Sequence, residues 1–162
     1  MMADLEIERK FIIRKPLNLD GFERVDMVQT YLISDVGTRR IRMTKCNSVK
    51  KYYFTQKLRQ THLVCIEEER EIDENEYNLL LLQADTTRNP IEKSRYYYHY
   101  EGHVFEIDVY PFWQRQCVME VELGDEGETV CFPPDIEIIK EVTSEPSYKN
   151  FALARSVPKE II

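Results

Sequence analysis

The chain has 162 residues, a length that predicts one domain over residues 1–162 and excludes two large ones. Hydrophobic residues make up 43% and charged residues 31%, which excludes a disordered or collagen-like chain and predicts a globular protein with a core. The 22 Lys and Arg against 29 Asp and Glu give a formal net charge of −7, which argues against nucleic acid or an anionic membrane as a partner but leaves a local basic site open.

Alternation of apolar and polar residues with period two recurs along the chain and predicts a mainly β protein of the α+β class. The predicted strands are 5–13, 27–33, 38–44, 51–58, 63–72, 91–100, 103–110 and 117–123, with 136–142 as a candidate ninth. Helices are predicted at 16–24, at 74–84 with Asp73 as N-cap, at 125–131 and at 147–154. About eight antiparallel strands close a barrel around one small ligand, so we expect an eight-stranded antiparallel β-barrel tunnel with a few flanking helices.

The ends and cysteines of the sequence predict its compartment. Residues 1–6 carry neither the basic nor the apolar segment of a secretory signal, and the longest aliphatic run, 79–82, is far shorter than the ~20 residues of a membrane span. We therefore expect a cytoplasmic protein without a membrane partner. The cysteines form no C-x-x-C pair, which predicts reduced thiols lying mostly in the core. They are Cys46, Cys65, Cys117 and Cys131.

Alternate positions of the strands carry charges that are segregated by sign. In the first strand Glu6, Glu8 and Lys10 share one face, while Ile7 and Phe11 lie on the other. The polar pairs that follow are Arg40 and Arg42, Thr55 and Lys57, Glu67 and Glu69, Lys93 and Arg95, Glu106 and Asp108, and Glu120 and Glu122. In the fifth strand the inward pair is open, because the run 67–71 also allows Glu69 and Glu71.

Two interpretations of these faces are open. They are the solvent side of an antiparallel sheet packed on helices, or they line the interior of a barrel. Segregation of sign by strand favours the interior. Like charges buried together are costly, and a polyanion on the bases with a divalent cation on the acids would neutralise both sets.

The residue types suit phosphoryl transfer. Clustered carboxylates are hard ligands for Mg²⁺ or Mn²⁺, and Arg-x-Arg offers two planar groups to phosphate oxygens. Such chemistry needs positioning and a metal-aligned water, and no covalent nucleophile from the protein. The sequence has no P-loop, dinucleotide-binding or nucleophile-elbow motif. His62, His99 and His103 form no H-E-x-x-H and are interpreted as surface or structural residues.

The motifs, taken in order, resemble the CYTH superfamily of triphosphate tunnel metalloenzymes over residues 5–154. The first match is its E-x-E-x-K signature, and the last is a closing Y-K-N. The matching segments are Glu6-Ile7-Glu8-Arg9-Lys10, Gln29-Thr30-Tyr31-Leu32, Arg40-Ile41-Arg42, Thr55-Gln56-Lys57, Glu67-Glu68-Glu69, Glu92-Lys93-Ser94-Arg95-Tyr96, Glu106-Ile107-Asp108-Val109, Glu120-Val121-Glu122 and Tyr148-Lys149-Asn150.

The resemblance implies a tunnel in which basic residues hold a triphosphate and carboxylates hold Mg²⁺ or Mn²⁺. The implied metal ligands are Glu6, Glu8, Glu120 and Glu122. The implied phosphate ligands are Lys10, Arg40, Arg42, Lys57, Lys93, Arg95 and Lys149. The implied catalytic residues are Lys10, Glu67, Glu69 and Asp108, of which the three acids hold a second metal or orient the attacking water.

Within that superfamily the sequence most resembles the bacterial inorganic triphosphatases, so we expect a small-molecule triphosphate as substrate. The alternatives are a class IV adenylate cyclase, a thiamine triphosphatase and a noncatalytic module that binds polyphosphate or nucleotides. Residues 36–42 lack the His of a cyclase-type H-x-x-R-x-R stretch, which weakens the cyclase. Contact of Trp113 or the Tyr96–Tyr100 cluster with an organic group is open. The oligomeric state is open too, with a homodimer among the options.

Overall fold

The computed structural model describes residues 4–162. Alternating residues form the strands β1 Asp4–Arg14, β2 Glu23–Leu32, β3 Thr38–Cys46, β4 Val49–Arg59, β5 Val64–Ile72, β6 Ile91–Tyr100, β7 His103–Val109, β8 Gln116–Glu122 and β9 Ile138–Glu141. The helices are α1 Glu74–Leu80 and α2 Asn150–Leu153, each adjoining one 3₁₀ turn, Leu81–Gln83 and Pro146–Tyr148. No helix in these residues is long and apolar enough to cross a membrane.

Strands β1 to β8 close an antiparallel barrel, which confirms the predicted fold class. The order around it is β1, β5, β4, β3, β2, β6, β7, β8 and again β1. Strand β1 has a divided edge. It pairs with β8 from Glu8 to Arg14, while its other edge pairs with β5 near its start and with β9 near its end. The first strand therefore closes the barrel and also holds the ninth.

Three apolar clusters support the barrel. Outward residues of β1, β7 and β8 pack beneath the segment 123–136, and Phe132 contacts the rings of Phe11 and Phe105. Helix α1 covers β3 and β4 through Tyr77, whose ring packs on Tyr52. The third cluster fills one end of the barrel interior, beneath the C-terminal segment. It consists of Ile12, Tyr31, Ile91, Tyr110, Trp113, Val118, Val142, Tyr148, Leu153 and Ala154.

One glycine holds the β2–β3 loop against the barrel wall. Gly37 has φ +65°, and a Cβ at this position would lie 2.1 Å from the backbone oxygen of Lys57. Any other residue would therefore push the β2–β3 loop away from β4. The displaced contact is at Lys57, whose side chain faces the barrel interior.

The strand predictions agree with the structure, and so does helix α1, where the Asp73 side chain accepts from the Glu76 amide. Two predicted helices are wrong. Residues 16–22 form bends and turns and 23 and 24 already belong to β2, because Pro and the Asp20-Gly21 turn interrupt the segment. Residues 125–131 are a loop, because the Asp125 side chain accepts from the Gly127 amide and stabilises a turn. In the predicted helix 147–154 only Asn150–Leu153 is α-helical.

The four thiols are all free, as expected. Cys65 and Cys117 are buried, Cys46 is half-buried and Cys131 is exposed, so only two of them lie in the core. Trp113 packs in the core and donates to the Pro158 carbonyl at 2.9 Å, while Tyr97 points into the barrel.

Candidate active site

The charged strand faces point into the barrel, where they line a cavity of about 760 Å³ that we call the lumen. This excludes the solvent-face interpretation, since Lys10, Arg40 and Arg42 are each only 8% exposed. Most of the metal ligands, phosphate ligands and catalytic residues that the resemblance implies line the lumen. They are Glu6, Glu8, Lys10, Arg40, Arg42, Lys57, Glu67, Glu69, Arg95, Glu120, Glu122 and Lys149.

Two of the implied ligands and catalytic residues, Lys93 and Asp108, lie outside the lumen lining. The Lys93 ammonium contacts Asp108 at 2.7 Å, and their side chains are 0% and 1% exposed. Arg95 donates to both Asp108 oxygens, at 2.7 and 2.9 Å. Burial lowers the pKa of Lys93 to about 7 against the opposing effect of Asp108, and Asp108 stays ionised because Arg95 also binds it. Here Lys93 and Asp108 bind each other, and their functional roles stay predictions.

Strand β5 presents Glu67 and Glu69 to the lumen. Its register places Lys57 opposite Glu67 and Thr55 opposite Glu69. The Thr55 hydroxyl donates to Glu69 at 3.1 Å, and the Lys57 ammonium lies 3.3 Å from Glu67. Glu71 shares this face but lies outside the lumen lining, so Glu67 and Glu69 are the inward pair that the sequence left open.

The carboxyl groups of Glu8 and Glu120 share a hydrogen bond. Burial, together with the neighbouring Glu120, raises the pKa of Glu8 well above its ordinary value. Burial also acts on Glu120, but Lys10 at 3.5 Å and the bond from Glu8 hold its pKa well below the ordinary value. Glu8 is therefore the protonated donor and Glu120 the carboxylate.

A second carboxyl pair has the same form. Burial raises the pKa of Glu6 despite the ammonium of Lys57 at 3.1 Å. The pKa of Glu67 is lowered, because the hydrogen bond from Glu6 and the charges of Lys57 and Arg40 outweigh burial. In each pair a shared proton thus reduces the repulsion between the two carboxyl groups, which a divalent cation would otherwise neutralise.

The opposite wall is basic and incompletely satisfied. Arg42 donates through Nε and Nη2 to Gln29 at 3.1 and 3.0 Å, and burial with the charges of Arg40 and Arg95 lowers its pKa to about 10. Within residues 4–162, the buried Nε of Arg40 and Nε2 of Gln29 have no hydrogen-bond partner. Buried donors without partners are costly, and an anion in the lumen, which Arg40 lines, would satisfy the Nε of Arg40.

The donor chemistry of the acidic wall fits Mg²⁺ or Mn²⁺. In the described part of the chain, no three acidic, His or Cys side chains converge into a ready-made cation site. Mg²⁺ commonly binds through one or two carboxylates, with water and substrate phosphates completing its shell. The two carboxyl pairs meet that requirement when a phosphate chain is present.

Glu106 and Arg59 are two of the lumen residues to which the sequence analysis assigned no role. Glu106 lies opposite Glu120 in the β7–β8 register and accepts from Arg95 at 3.1 Å. Arg59 follows Lys57 by two positions and so shares its face. The period-two alternation of the strands places both residues on the charged faces. The motif T-x-K, however, ends before Arg59, and the resemblance implies a role for Asp108 and not for Glu106.

A closed antiparallel barrel whose lumen has one acidic and one basic wall defines a CYTH-type barrel. No model of a protein family matches the chain. The chain is 32% identical to an inorganic triphosphatase of Nitrosomonas europaea, covering 94% of this chain and 99% of that protein. It is 33% identical to one of Acetivibrio thermocellus, covering 93% and 94%. The chain belongs to the inorganic triphosphatase family.

Solved structures agree with this assignment. A crystal structure of an inorganic triphosphatase has a TM-score of 0.58 and 30% identity, covering 95% of this chain and 97% of that one. A Pyrococcus horikoshii protein has a TM-score of 0.56 at 19% identity, covering 75% and 80%, and shows the shared fold alone.

Proposed function

We propose that this protein hydrolyses a terminal phosphoanhydride bond of inorganic triphosphate with Mg²⁺ or Mn²⁺. The observation that carries the proposal is the complementary state of the two lumen walls. Among the described residues, the buried Nε of Arg40 lacks a hydrogen-bond partner on one wall, while carboxyl groups share protons on the other. A metal–triphosphate complex supplies what each wall lacks, and the names of the relatives support this substrate.

The chain's own residues would bind and orient this substrate. Arg40, Arg42 and Lys57 face phosphate oxygens from one wall, and Lys10 adds charge beside Glu120. Glu6, Glu8, Glu120 and Glu122 would hold the metal. When bound, that ion neutralises charge and acidifies a water molecule. Glu67 and Glu69, fixed by Lys57 and Thr55, would orient the attacking water.

A nucleoside triphosphate is the second candidate substrate. The rings of Tyr53 and Tyr97 line the lumen together with Val25 and Met27, and aromatic rings of this kind can stack on a base. Such a substrate allows either hydrolysis or cyclisation, and the products distinguish them.

The test is phosphate release from inorganic triphosphate, ATP and thiamine triphosphate, each with Mg²⁺, with Mn²⁺ and with EDTA. We expect inorganic triphosphate to be preferred and EDTA to abolish turnover. Cyclic AMP and pyrophosphate from ATP would instead support a cyclase. Binding of triphosphate without turnover of any of the three would support a noncatalytic module.

Metal binding should release protons, because Glu8 is protonated at pH values where an ordinary Glu is ionised. Its raised pKa means that the affinity for Mg²⁺ rises with pH until Glu8 ionises. We expect calorimetric titrations with Mg²⁺ alone, in two buffers of different ionisation enthalpy, to show proton release that falls as pH rises. Glu8→Gln should reduce this release to the share contributed by Glu6, whereas Glu68→Gln, on the outer face of β5, should leave it at the wild-type value. Heats that are independent of the buffer would contradict the expectation.

A further inference from the structure

Two buried arginines of the lumen differ in the side chains that hold them. Arg95 is held by acids, since Asp108 accepts from it at 2.7 and 2.9 Å and Glu106 accepts at 3.1 Å. Arg42 is held by a neutral side chain. The Oε1 atom of Gln29 accepts from its Nε and Nη2 atoms at 3.1 and 3.0 Å. The protein therefore compensates the charge of Arg95 directly, but orients Arg42 without an acid.

Arg42 keeps a positive charge that the protein compensates only in part. The side chain is buried and lines the lumen. Burial, with the charges of Arg40 and Arg95, lowers its pKa to about 10. Glu69 and Asp108 act in the opposite direction, but more weakly. Arg42 is thus still protonated near pH 7, and an anion in the lumen would complete its compensation.

Gln29 lies behind Arg42, in the wall of the barrel. It is fully buried and outside the lumen lining, and the β2–β3 register places it directly opposite Arg42. Its buried Nε2 atom has no hydrogen-bond partner within residues 4–162. A glutamate of the same shape would leave no donor unpaired here, so hydrogen bonding alone favours an acid. What the amide provides instead is an acceptor that adds no negative charge.

Tyr31 repeats this arrangement two positions along β2. It lies opposite Arg40 in the register, and the two side chains share a hydrogen bond. Tyr31 is buried, and its ring packs edge-on against Phe151 of the C-terminal segment. The Gln-x-Tyr alternation of β2 therefore gives each arginine of the Arg-x-Arg alternation of β3 one neutral partner. The sequence analysis noted the first of these patterns without a role.

We propose that Gln29 is a positioning residue, which orients the guanidinium of Arg42 in the lumen and leaves its charge to the phosphates of the substrate. This inference rests on the proposed function, which it deepens by adding a residue behind the site. Gln29 binds the Nε and Nη2 edge of the guanidinium, so the Nη1 group stays available to phosphate oxygens. A carboxylate in place of the amide would compete with phosphate for the same charge.

The test compares Gln29→Glu with wild type. Glutamate keeps the acceptor but adds negative charge beside Arg42, so the KM for inorganic triphosphate with Mg²⁺ should rise about 10- to 100-fold, the range for a charged hydrogen bond. Gln29→Met, which has neither acceptor nor charge, should raise it by a smaller factor. The matched control is Gln83→Glu. Gln83 accepts from Arg39 at 3.1 Å on the exposed surface, outside the lumen lining, and the KM of this variant should equal that of wild type.

A double-mutant comparison shows whether Gln29 acts through Arg42. In an Arg42→Gln background there is no guanidinium to orient, so adding Gln29→Met should change kcat/KM less than about twofold. An equal loss in both backgrounds would indicate a general effect on the barrel and would overturn the positioning role. Thermal unfolding checks that every variant folds, and Gln29→Met decides the question alone if Gln29→Glu does not fold.

Calorimetric binding of inorganic triphosphate separates this role from the proposed function. If wild type hydrolyses the substrate and both Gln29 variants keep its KM within about twofold, the positioning role is overturned and the function stands. If wild type binds triphosphate without hydrolysis and Gln29→Glu weakens binding, the function is overturned and the positioning role stands. If wild type neither binds nor hydrolyses triphosphate, both are overturned.

Discussion

Replacing Glu8 by Gln should lower kcat for inorganic triphosphate on the order of 10³-fold, about 4 kcal/mol of transition-state stabilisation. Glutamine keeps the shape of the protonated carboxyl group but cannot ionise to hold a cation. Because the protonated Glu8 donates a hydrogen bond to Glu120, the amide of glutamine can replace that hydrogen bond. We therefore expect the loss of activity without a loss of stability.

The measurement is kcat with saturating Mg²⁺ and substrate, alongside the thermal unfolding temperature without metal. Glu68→Gln makes the same chemical change at a position opposite Gln56, outside the lumen lining, and should keep wild-type kcat. A Glu8→Gln enzyme within threefold of wild type would show that this carboxylate is not needed.

Replacing Asp108 by Ala should lower the free energy of unfolding by about 3–5 kcal/mol, because removal of one partner leaves buried charge uncompensated. Asp108 binds Lys93 and Arg95 at 2.7 Å each, and no more than 10% of any of the three side chains is exposed. Denaturation by urea at pH 6 gives the value. Glu137→Ala is the control, since its ion pair with Arg14 joins side chains that are 57% and 52% exposed and should contribute at most about 1 kcal/mol.

The same substitution should change the response to acid. Arg95 and Lys93 hold the pKa of Asp108 below the ordinary value of 3.8 despite burial. A lowered carboxyl pKa contributes stability that is fully present above the unfolded pKa and is lost as the pH falls below it. We expect the difference between wild type and Asp108→Ala to shrink as the pH falls below about 4. A difference that does not depend on pH would contradict the role assigned to this carboxylate.

Periodicity predicted most of the barrel, because each strand has one apolar and one charged face. It does not report depth along the barrel. Lys93 and Arg95 look equivalent in sequence, yet Arg95 lines the lumen and Lys93 is sealed against Asp108 near the apolar end. Depth depends on strand stagger, which follows from pairing between distant strands.

Residues without a motif were harder to assign. Arg59 has the same alternation as Lys57, but its environment depends on Cys65 across the ladder and on Lys149 from the C-terminal segment. Neither neighbour is local in sequence. The helix expected at 125–131 failed for a related reason, since the His103 ring, from β7, binds Glu128 and holds that loop against the barrel.

The divided edge of β1 has a consequence for how the protein acquires its site. Strand β1 pairs with β8 and β9. Its Arg9 and Lys10 form hydrogen bonds with Glu141 and Thr143, which lie 132 and 133 positions further along the chain. Contacts at such separation form late, because a long chain must first be ordered. Until then β5, which pairs with residues 4–7, is the one described strand beside β1, and the charged faces towards β8 stay hydrated. Closure of the lumen therefore depends on β8, and a chain lacking β8 would leave the barrel open between β7 and β1.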